Sequence, residues 1–536
     1  MIVLIMIKQW FKEISNLKRL FERNAFVFVF IILLISSLFF ALLQISKPFT
    51  ADEYWYLDTA KFVALGQKPM TDFCANLPPI LFEGHPTTYI NYLAFFLSIA
   101  PEKFLRLSGI IIFIATLIVL FFAFRSLFGD NKLALAGTAL YAFNPLAIQG
   151  SLLLDIDNTI LALAIAIFSL VYLYKFKSKK IKYLFLAIAI ALILLSKLTV
   201  FFIILGGAFL YFIIWKRKEF KSFVLAAFAG VGIFAIVWFV ISLISGISFY
   251  SPIEYILANI FSRNATLTIY DRIVTIFYSG LKQNLLWITL PLCLLFLSQI
   301  KEKTTRLFFV ISIIALAQYL FSIPSAYRFP KYMAAFLPMI ALVGFYFLRN
   351  FKFKIKIASI GLFVLPSIVY AVFLRDPIQH ARDLIGAVYI VVVNCIPLFP
   401  IIVSKHKKEI LIFLYLGVCL YTNIFQLTTT SATLYDYGET GLQGTLEYIQ
   451  QNVPQGSNIF TQGKEVAYYT NTKTYCPQTE DLNLELKTAC IKAVVVKAGW
   501  GVRSNSNIIS IAEQQNLEKK IFGDYTVYKT NFCGEK

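Results

Sequence analysis

The stretch LSGIIIFIATLIVLFFAF, residues 107–124, contains no aspartate, glutamate, lysine or arginine. An uncharged apolar run of about 18 residues or more is long enough to cross the hydrocarbon core of a bilayer as one α-helix. Two further runs of this kind occur at Phe26–Leu43 and Phe223–Ile244. Buried helices of a soluble core could not supply so many such runs, so the sequence predicts an α-helical membrane protein.

The composition agrees with this interpretation. The chain of 536 residues is 59% hydrophobic and only 15% charged, whereas soluble domains average about 25% charged residues. With the runs above, the hydropathy pattern predicts about thirteen transmembrane helices. The further expected spans are Leu133–Gln149, Ile160–Tyr174, Tyr183–Leu195, Val200–Ile214, Leu285–Leu297, Leu307–Ile323, Met333–Leu348, Ile357–Leu374, Leu384–Val403 and Ile410–Phe425.

The net charge of +20 does not indicate a nucleic-acid partner, because the basic residues are not gathered on one soluble face. They form short clusters in every second loop: KFKSKK from Lys175, KRKEFK from Lys216, KEKTTR from Lys301, RNFKFKIK from Arg349 and KHKK from Lys405. Loops with this charge bias stay on the cytoplasmic side. We therefore expect a multi-pass protein of the cell membrane with a cytoplasmic N-terminus and, after an odd number of crossings, an extracytoplasmic C-terminus.

The chain divides into a membrane domain, residues 1–425, and a small soluble α/β domain, residues 426–536, where the composition turns polar. Helices are predicted at GLQGTLEYIQQNVPQG and IISIAEQQNLEKKI, and strands at NIFTQ, KAVVVKAGW and YTVYKT. This domain contains Cys476, Cys490 and Cys533. An oxidising compartment would permit one disulfide among them.

The first outer loop, about residues 46–106, is long enough to carry function. It begins with DEYWYLDTAKFVALG, a predicted helix started by Thr50 and ended near Gly66. The following LPPILFEGHPTTYINYLAFFLSIA is apolar and aromatic, and is interrupted by prolines and Glu83. This pattern predicts a helix lying at the membrane surface.

Two pairs of acids are expected at the outer edge of the helical bundle: Asp52 with Glu53, and Asp155 with Asp157. Carboxylates are costly to hold near a bilayer, so such residues are functional candidates. Structural roles are the alternative, since Thr50 and Glu53 have the spacing of a capping box and aspartate is an ordinary helix cap. The predicted topology places both pairs on the same face.

Several motifs resemble the GT-C superfamily of membrane glycosyltransferases, in particular the protein O-mannosyltransferases and the lipid A aminoarabinose transferases. The resemblance rests, in chain order, on ADEYWYLDTAKFVALGQKP, FEGHPTTYINYL, NPLAIQGSLLLDIDNTILALAIAI, ALILLSKLTVFFII and YRFPKYMAAFLPMIAL. It implies a GT-C-like fold of about thirteen spans with an outer C-terminal domain. It also implies transfer of a monosaccharide from a polyprenyl (dolichyl or undecaprenyl) phosphate to a glycan, lipid or protein acceptor at the outer face.

The resemblance also implies roles for single residues. Asp52 matches the catalytic base of the first outer loop, with Glu53 beside it, and Asp157 matches a second acid, for which Asp155 is the alternative. Glu83 matches a substrate-binding acid. His85 resembles the His-Pro-Pro element of mannosyltransferase-like members, although Thr87 replaces its second proline.

Inverting transfer requires a carboxylate that takes the acceptor's proton and cations that hold the departing phosphate. The N-terminal dipole of a helix beginning near Asp52 favours its negative charge. Few cations are expected on the outer face: Lys197 in LLSKLT, and Arg328 and Lys331 in SAYRFPKY. Arginine can bind phosphate through two bonds, and lysine through a point charge. Alternatively, these side chains extend to lipid headgroups.

No metal site or bound cofactor is expected, because the three histidines His85, His380 and His406 are far apart and no Cys/His cluster has ligand spacing. Two other functions remain open. LYDYGET from Leu434 is similar to the WWDYG motif of oligosaccharyltransferases, which transfer a whole oligosaccharide. A transporter or flippase for a lipid-linked substrate would instead show paired broken helices or charges near the midplane.

Overall fold

The computed structural model describes residues 30–49, 52–72, 74–82, 86–156, 159–254, 257, 303–321, 331–350, parts of 416–428, 441–461, 464–476, 482–497, 509–523 and 525–530. Up to residue 350 the described elements are helices, apart from one short hairpin. The helices are α1 (Phe30–Leu42), α2 (Glu53–Ala64), α3 (Thr88–Ile99), α4 (Arg106–Phe128), α5 (Asn131–Ala142), α6 (Pro145–Leu152), α7 (Thr159–Leu173), α8 (Lys179–Ser196), α9 (Leu198–Trp215), α10 (Arg217–Ser245), α11 (Arg306–Phe321), α12 (Lys331–Ala334) and α13 (Leu337–Asn350).

Three stretches within the described residues are helical, long and apolar enough to cross a membrane: Glu102–Phe128, Leu198–Trp215 and Arg217–Ser245. Shorter apolar helices accompany them, among them α1 and α13. The helical fold and the membrane-protein character expected from the sequence are therefore confirmed. The number of about thirteen spans stays a prediction, because Leu285–Leu297, Ile357–Leu374 and Leu384–Val403 lie outside the described residues.

Two expected spans are each broken into two helices. Leu133–Gln149 is divided between α5 and α6, because Pro145 has no amide hydrogen for a continuing helix and Asn144 caps the new one. The Asn144 side chain accepts hydrogen bonds from the amides of Leu146 at 2.9 Å and Ala147 at 3.4 Å. Met333–Leu348 is likewise divided between α12 and α13.

The helices pack closely where small residues meet. A β-carbon added at Gly137 of α5 would lie 2.6 Å from the ring of Phe124 in α4. At Gly230 of α10 it would lie 2.8 Å from the carbonyl oxygen of Ala187 in α8. Small residues allow this approach between membrane helices, where packing rather than water exclusion drives association.

The first outer loop has a mixed structure. The predicted helix from Asp52 is present as α2, and Gly66 follows it with φ of 73°. The predicted surface helix from Leu77 is wrong in its first part, which contains the strand β2 (Ile80–Leu81); β2 pairs in a hairpin with β1 (Met70–Thr71), which precedes Leu77. Its second part is α3, which packs against α2.

A five-stranded sheet with flanking helices lies between residues 441 and 530. Its strands are β3 (Asn458–Thr461), β4 (Lys473–Thr474), β5 (Ala493–Lys497), β6 (Glu518–Phe522) and β7 (Tyr525–Lys529), in the order β4-β3-β5-β7-β6. β3 is parallel to β4 and β5, whereas β7 is antiparallel to β5 and β6. The flanking helices include α14 (Leu442–Asn452), α15 (Lys464–Thr470) and α16 (Leu482–Thr488). We call this part of the chain the sheet unit.

The expected strands NIFTQ, KAVVVKAGW and YTVYKT correspond to β3, β5 and β7. The predicted helix IISIAEQQNLEKKI is too long, since helix covers only 509–514 and EKKIF is the strand β6. Asn516, with φ of 50°, ends the helical turn, and β6 is held by pairing with β7, for example Lys520 with Val527. Such tertiary pairing overrides the local helical pattern.

Candidate active site

Charged residues from five separate helix ends meet at one end of the bundle. Each stands where a helix begins or stops, so the backbone leaves the bundle there while the side chain turns inward. They are Asp52 and Glu53 at the start of α2, Arg106 at the start of α4, Asp155 after α6, Lys197 between α8 and α9, and Lys331 at the start of α12.

Two carboxylates share the ammonium group of Lys331. Its Nζ lies 2.7 Å from Oδ2 of Asp155 and 3.2 Å from Oδ2 of Asp52. The side chains of Lys331 and Asp155 are only 4% and 1% exposed, whereas that of Asp52 is 40% exposed. Asp52 is therefore the accessible carboxylate of this group. Asp155 is the closer and the more buried of the two carboxylates.

Glu53 makes a different, fully buried ion pair. Its two carboxylate oxygens accept hydrogen bonds from Nη1 of Arg106 at 2.6 Å and from Nη2 at 3.1 Å, and both side chains are 0% exposed. Oε1 of Glu53 also accepts a hydrogen bond from the amide of Leu154 at 3.1 Å. Thr50, the expected partner in a capping box, lies outside the described residues.

Arg106 connects two segments of backbone to this pair. It donates to the carbonyl oxygens of Pro48 at 2.8 Å, of Lys47 at 3.4 Å and of Leu152. The ring of Phe49 covers the guanidinium group at 4.7 Å. Because the arginine ties the start of α2 to the end of α6, it fixes the distance between Asp52 and Asp155.

Aromatic and aliphatic packing supports the same arrangement. The residues on either side of Asp155, Leu154 and Ile156, are buried in one cluster with Tyr54 and Leu57 of α2 and with Leu93 of α3. The carboxylate of Asp155 therefore emerges from an apolar layer shared with the first outer loop.

Two of the expected phosphate-binding cations, Lys197 and Lys331, contact the ring of Tyr332. The Nζ atoms of Lys197 and Lys331 lie 5.2 and 5.3 Å from the centre of its ring. Lys197 is 8% exposed. The ring is a cation–π partner for each ammonium group, so it brings a second positive charge close to the Asp52–Lys331–Asp155 group.

Lys47 lies just outside this group, and its ammonium donates to the carbonyl oxygen of Gln426 and to Oε1 of Gln44. Burial, followed by the positive charge of Arg106, lowers the pKa of Lys47 to about 8.

The disulfide expected among Cys476, Cys490 and Cys533 is wrong for Cys476. Cys476 is bonded to Cys74 of the first outer loop, with 5.6 Å between their α-carbons and 402 residues between them in sequence. Cys490 is also disulfide-bonded. Nothing local in the sequence indicates a partner so distant, because the pairing depends on how the sheet unit lies on the loop.

Of the residues predicted from sequence, the structure thus brings together Asp52, Glu53, Asp155, Lys197 and Lys331. The other four, Glu83, His85, Asp157 and Arg328, lie outside the described residues. Sequence reasoning missed Arg106. Its one signal is an arginine at the start of an apolar span on the face where basic residues are scarce. Among the described residues, no three His, Cys, Asp or Glu side chains are grouped closely enough to hold a metal ion.

Comparison with known proteins extends this picture. A family model described as dolichyl-phosphate-mannose-protein mannosyltransferase matches residues 85–244. The crystal structure of ArnT from Cupriavidus metallidurans bound to undecaprenyl phosphate is similar in fold, with a TM-score of 0.56 and 12% sequence identity. That alignment covers 96% of this chain and 100% of the other. For ArnT from the same organism in the apo state the TM-score is 0.51 at 13% identity, over 96% of this chain and 98% of that one. Among curated proteins, none matches this chain in sequence. The resemblance to GT-C glycosyltransferases is confirmed.

Proposed function

We propose that this protein is an inverting membrane glycosyltransferase that moves a monosaccharide from a polyprenyl phosphate to an acceptor. The single observation that carries the proposal is the half-exposed Asp52, held by a buried lysine at the end of a GT-C-like bundle. The bound undecaprenyl phosphate of the similar ArnT structure supports a lipid phosphate as the donor class. The matched mannosyltransferase family model supports sugar transfer.

In the proposed reaction an acceptor hydroxyl or amine attacks the anomeric carbon from the face opposite the phosphate. Asp52 takes the acceptor's proton as the new bond forms, and the bond between the anomeric carbon and the phosphate oxygen breaks. The polyprenyl phosphate leaves with the bonding electrons, so the configuration at the anomeric carbon inverts. Lys331 and Asp155 orient Asp52, because both stay buried beside it.

The leaving phosphate needs positive charge on the opposite side of the sugar. Lys197 is the described cation that suits this role, since it lies near the group through the shared ring of Tyr332. Arg328 is proposed as a bidentate second contact, with Asp157, Glu83 and His85 as further substrate contacts. In this proposal the carboxylates, lysines and arginine carry out the transfer themselves, and the lipid-phosphate sugar is the donor substrate.

We place the reaction on the extracytoplasmic face. The basic loops that the positive-inside rule assigns to the cytoplasm lie at the opposite ends of α4, α7 and α9, since these helices run from the charged group to Arg125, Lys175 and Lys216. The Cys74–Cys476 disulfide supports an oxidising compartment for both the loop and the sheet unit.

The test is direct. Purified full-length protein in lipid nanodiscs is given a panel of radiolabelled polyprenyl-phosphate monosaccharides together with crude membrane acceptors. We expect label to leave one donor and to appear in a product with inverted anomeric configuration. Movement of intact labelled donor between the two leaflets of a vesicle, without loss of the sugar, would instead favour a flippase. Transfer of a preassembled oligosaccharide would favour the oligosaccharyltransferase-like alternative.

A further inference from the structure

The Cys74–Cys476 bond belongs to a larger contact between the first outer loop and the sheet unit. Beside it, the amide of Ala75 donates to the carbonyl oxygen of Thr474 at 2.8 Å. The side chain of Asn76 accepts a hydrogen bond from the amide of Cys476 at 2.9 Å and donates one to its carbonyl oxygen at 2.8 Å. The two segments are thus aligned residue by residue as well as covalently joined.

Helix α15 of the sheet unit lies on the helix that begins after Asp52. The Lys464 ammonium contacts the carboxylate of Asp58, one helical turn and a half along α2, and the carbonyl oxygen of Asp72. Burial raises the pKa of Asp58, and the charge of Lys464 opposes this shift. At the other end of α15 the Tyr468 hydroxyl donates to the carboxylate of Glu102.

Tyr469 extends this contact to the segment just before the proposed base. Its hydroxyl accepts a hydrogen bond from the amide of Phe49 at 2.8 Å, three residues before Asp52. The ring of Phe49 in turn covers the guanidinium group of Arg106, which holds Glu53. Asp52 therefore lies between a backbone held by α15 on one side and a side chain held by Arg106 on the other.

We infer that α15 of the sheet unit, through Tyr469, is a positioning element for Asp52, and that the Cys74–Cys476 bond keeps it in place. The inference rests on the proposed function, because it gives the sheet unit a part in the transfer reaction. A general base works only within hydrogen-bond reach of the proton that it abstracts. Displacement of reacting groups by about 1 Å can lower a rate by about 10²-fold, so a hydrogen bond this close to Asp52 affects turnover.

Tyr469→Phe removes only the hydroxyl and keeps the ring between α2 and the sheet. We expect kcat to fall about tenfold, by partial misplacement of the base, while KM for the lipid donor and the melting temperature stay close to those of the wild type. Tyr468→Phe is the matched control, since it removes the neighbouring hydroxyl, which contacts Glu102 rather than Phe49. Its kcat should remain within about twofold of the wild type, as for an exposed contact.

A second readout does not require activity. Hydrogen exchange of the peptide covering residues 47–57 should be faster in Tyr469→Phe, and faster still when Cys74→Ser is combined with Cys476→Ser. Unchanged kcat and unchanged exchange in Tyr469→Phe would overturn the inference. Equal losses of kcat in both tyrosine variants, with lowered melting temperatures, would also overturn it, because α15 would then serve folding alone. Absence of transfer by the wild type would contradict the proposed function, and hydrogen exchange would still decide the positioning role.

Discussion

Neighbouring acids at the start of α2 have opposite surroundings. Asp52 keeps 40% of its side chain exposed beside Lys331, whereas Glu53 is completely enclosed with Arg106. A base must be reached by the acceptor, and a buried ion pair must not lose a partner. Substitution can therefore distinguish the two residues: a change at Asp52 should affect turnover, and a change at Glu53 should affect stability.

We expect Asp52→Asn to lower turnover by about 10²–10⁴-fold, because the amide keeps the shape of the side chain but cannot accept the proton. The measurement is loss of label from the donor by correctly inserted protein. Asp130→Asn is the matched control, since Asp130 caps α5 at the far end of the bundle and asparagine caps a helix equally well. Near-normal turnover in Asp52→Asn would contradict the base assignment and leave Asp157 as the next candidate.

We expect Glu53→Gln to lower the free energy of unfolding by about 3–5 kcal/mol, because it leaves the charge of Arg106 buried and uncompensated. Unfolding is followed in detergent micelles by denaturant titration. The control is Glu219→Gln, whose ion pair with Lys216 is 3.4 Å long and about 40% exposed, and this change should cost less than about 1 kcal/mol. Similar costs for the two variants would contradict a stabilising role for the buried pair.

The sequence predicted much of this group but not its internal bonding. Acids at a predicted outer edge are visible as candidates from hydropathy alone, which is why Asp52, Glu53 and Asp155 were found. The partner of Glu53 was not visible, because Arg106 is 53 residues away and only tertiary packing brings it there. The ion pairs of Lys331 with the two aspartates were not visible either, and its expected contact with phosphate stays a prediction.

At the scale of elements, hydropathy located the helices and local chemistry divided them. The apolar stretch Leu133–Gln149 has no charge to mark a boundary, yet it ends one helix and starts another at Asn144 and Pro145. The break matters for the site, because the short helix α6 places the carbonyl oxygen of Leu152 at Arg106 and the carboxylate of Asp155 at Lys331. An averaged hydropathy window overlooks it, whereas the Asn-Pro pair is a recognisable helix start.

Helix α10 offers a test of close packing in two glycines that differ only in surroundings. Gly230 faces α8, where a β-carbon would lie 2.8 Å from a backbone oxygen, while nothing lies within 4 Å of Gly232. We expect Gly230→Ala to cost about 1–3 kcal/mol, as overpacking does. Gly232→Ala should be neutral or stabilising by up to about 1 kcal/mol, since alanine favours helix. The measurement is the melting temperature of each variant in detergent. Equal shifts of the melting temperature in the two variants would contradict the close contact of Gly230 with α8.

For the whole molecule, the distribution of charge separates the two ends of the bundle. The acids, Arg106 and Lys331 occupy one end, and Arg349 lies 5.8 Å from the ring of Phe128 at the other. The alternation of basic loops made this separation predictable from sequence. The position of the sheet unit was not predictable, because it depends on the distant Cys74–Cys476 bond and on contacts such as that of Tyr469 with Phe49.

This separation leads to a prediction about orientation. The disulfide requires the first outer loop and the sheet unit to lie on the same side of the membrane, so an even number of crossings must separate Cys74 from Cys476. With α1 as the one crossing before the loop, we expect the N-terminus on the other side of the membrane. In cells, Lys177→Cys and Lys218→Cys should react with a membrane-impermeant thiol reagent only after permeabilisation, because their loops carry the cytoplasmic charge signal. Gln455→Cys, at an exposed turn of the sheet unit, should react in intact cells.

Protection of Gln455→Cys together with labelling of Lys177→Cys would reverse the orientation and move the proposed reaction to the cytoplasmic face. Labelling of all three in intact cells would contradict the alternation of sides along the chain, and with it the assignment of the charged end to one side.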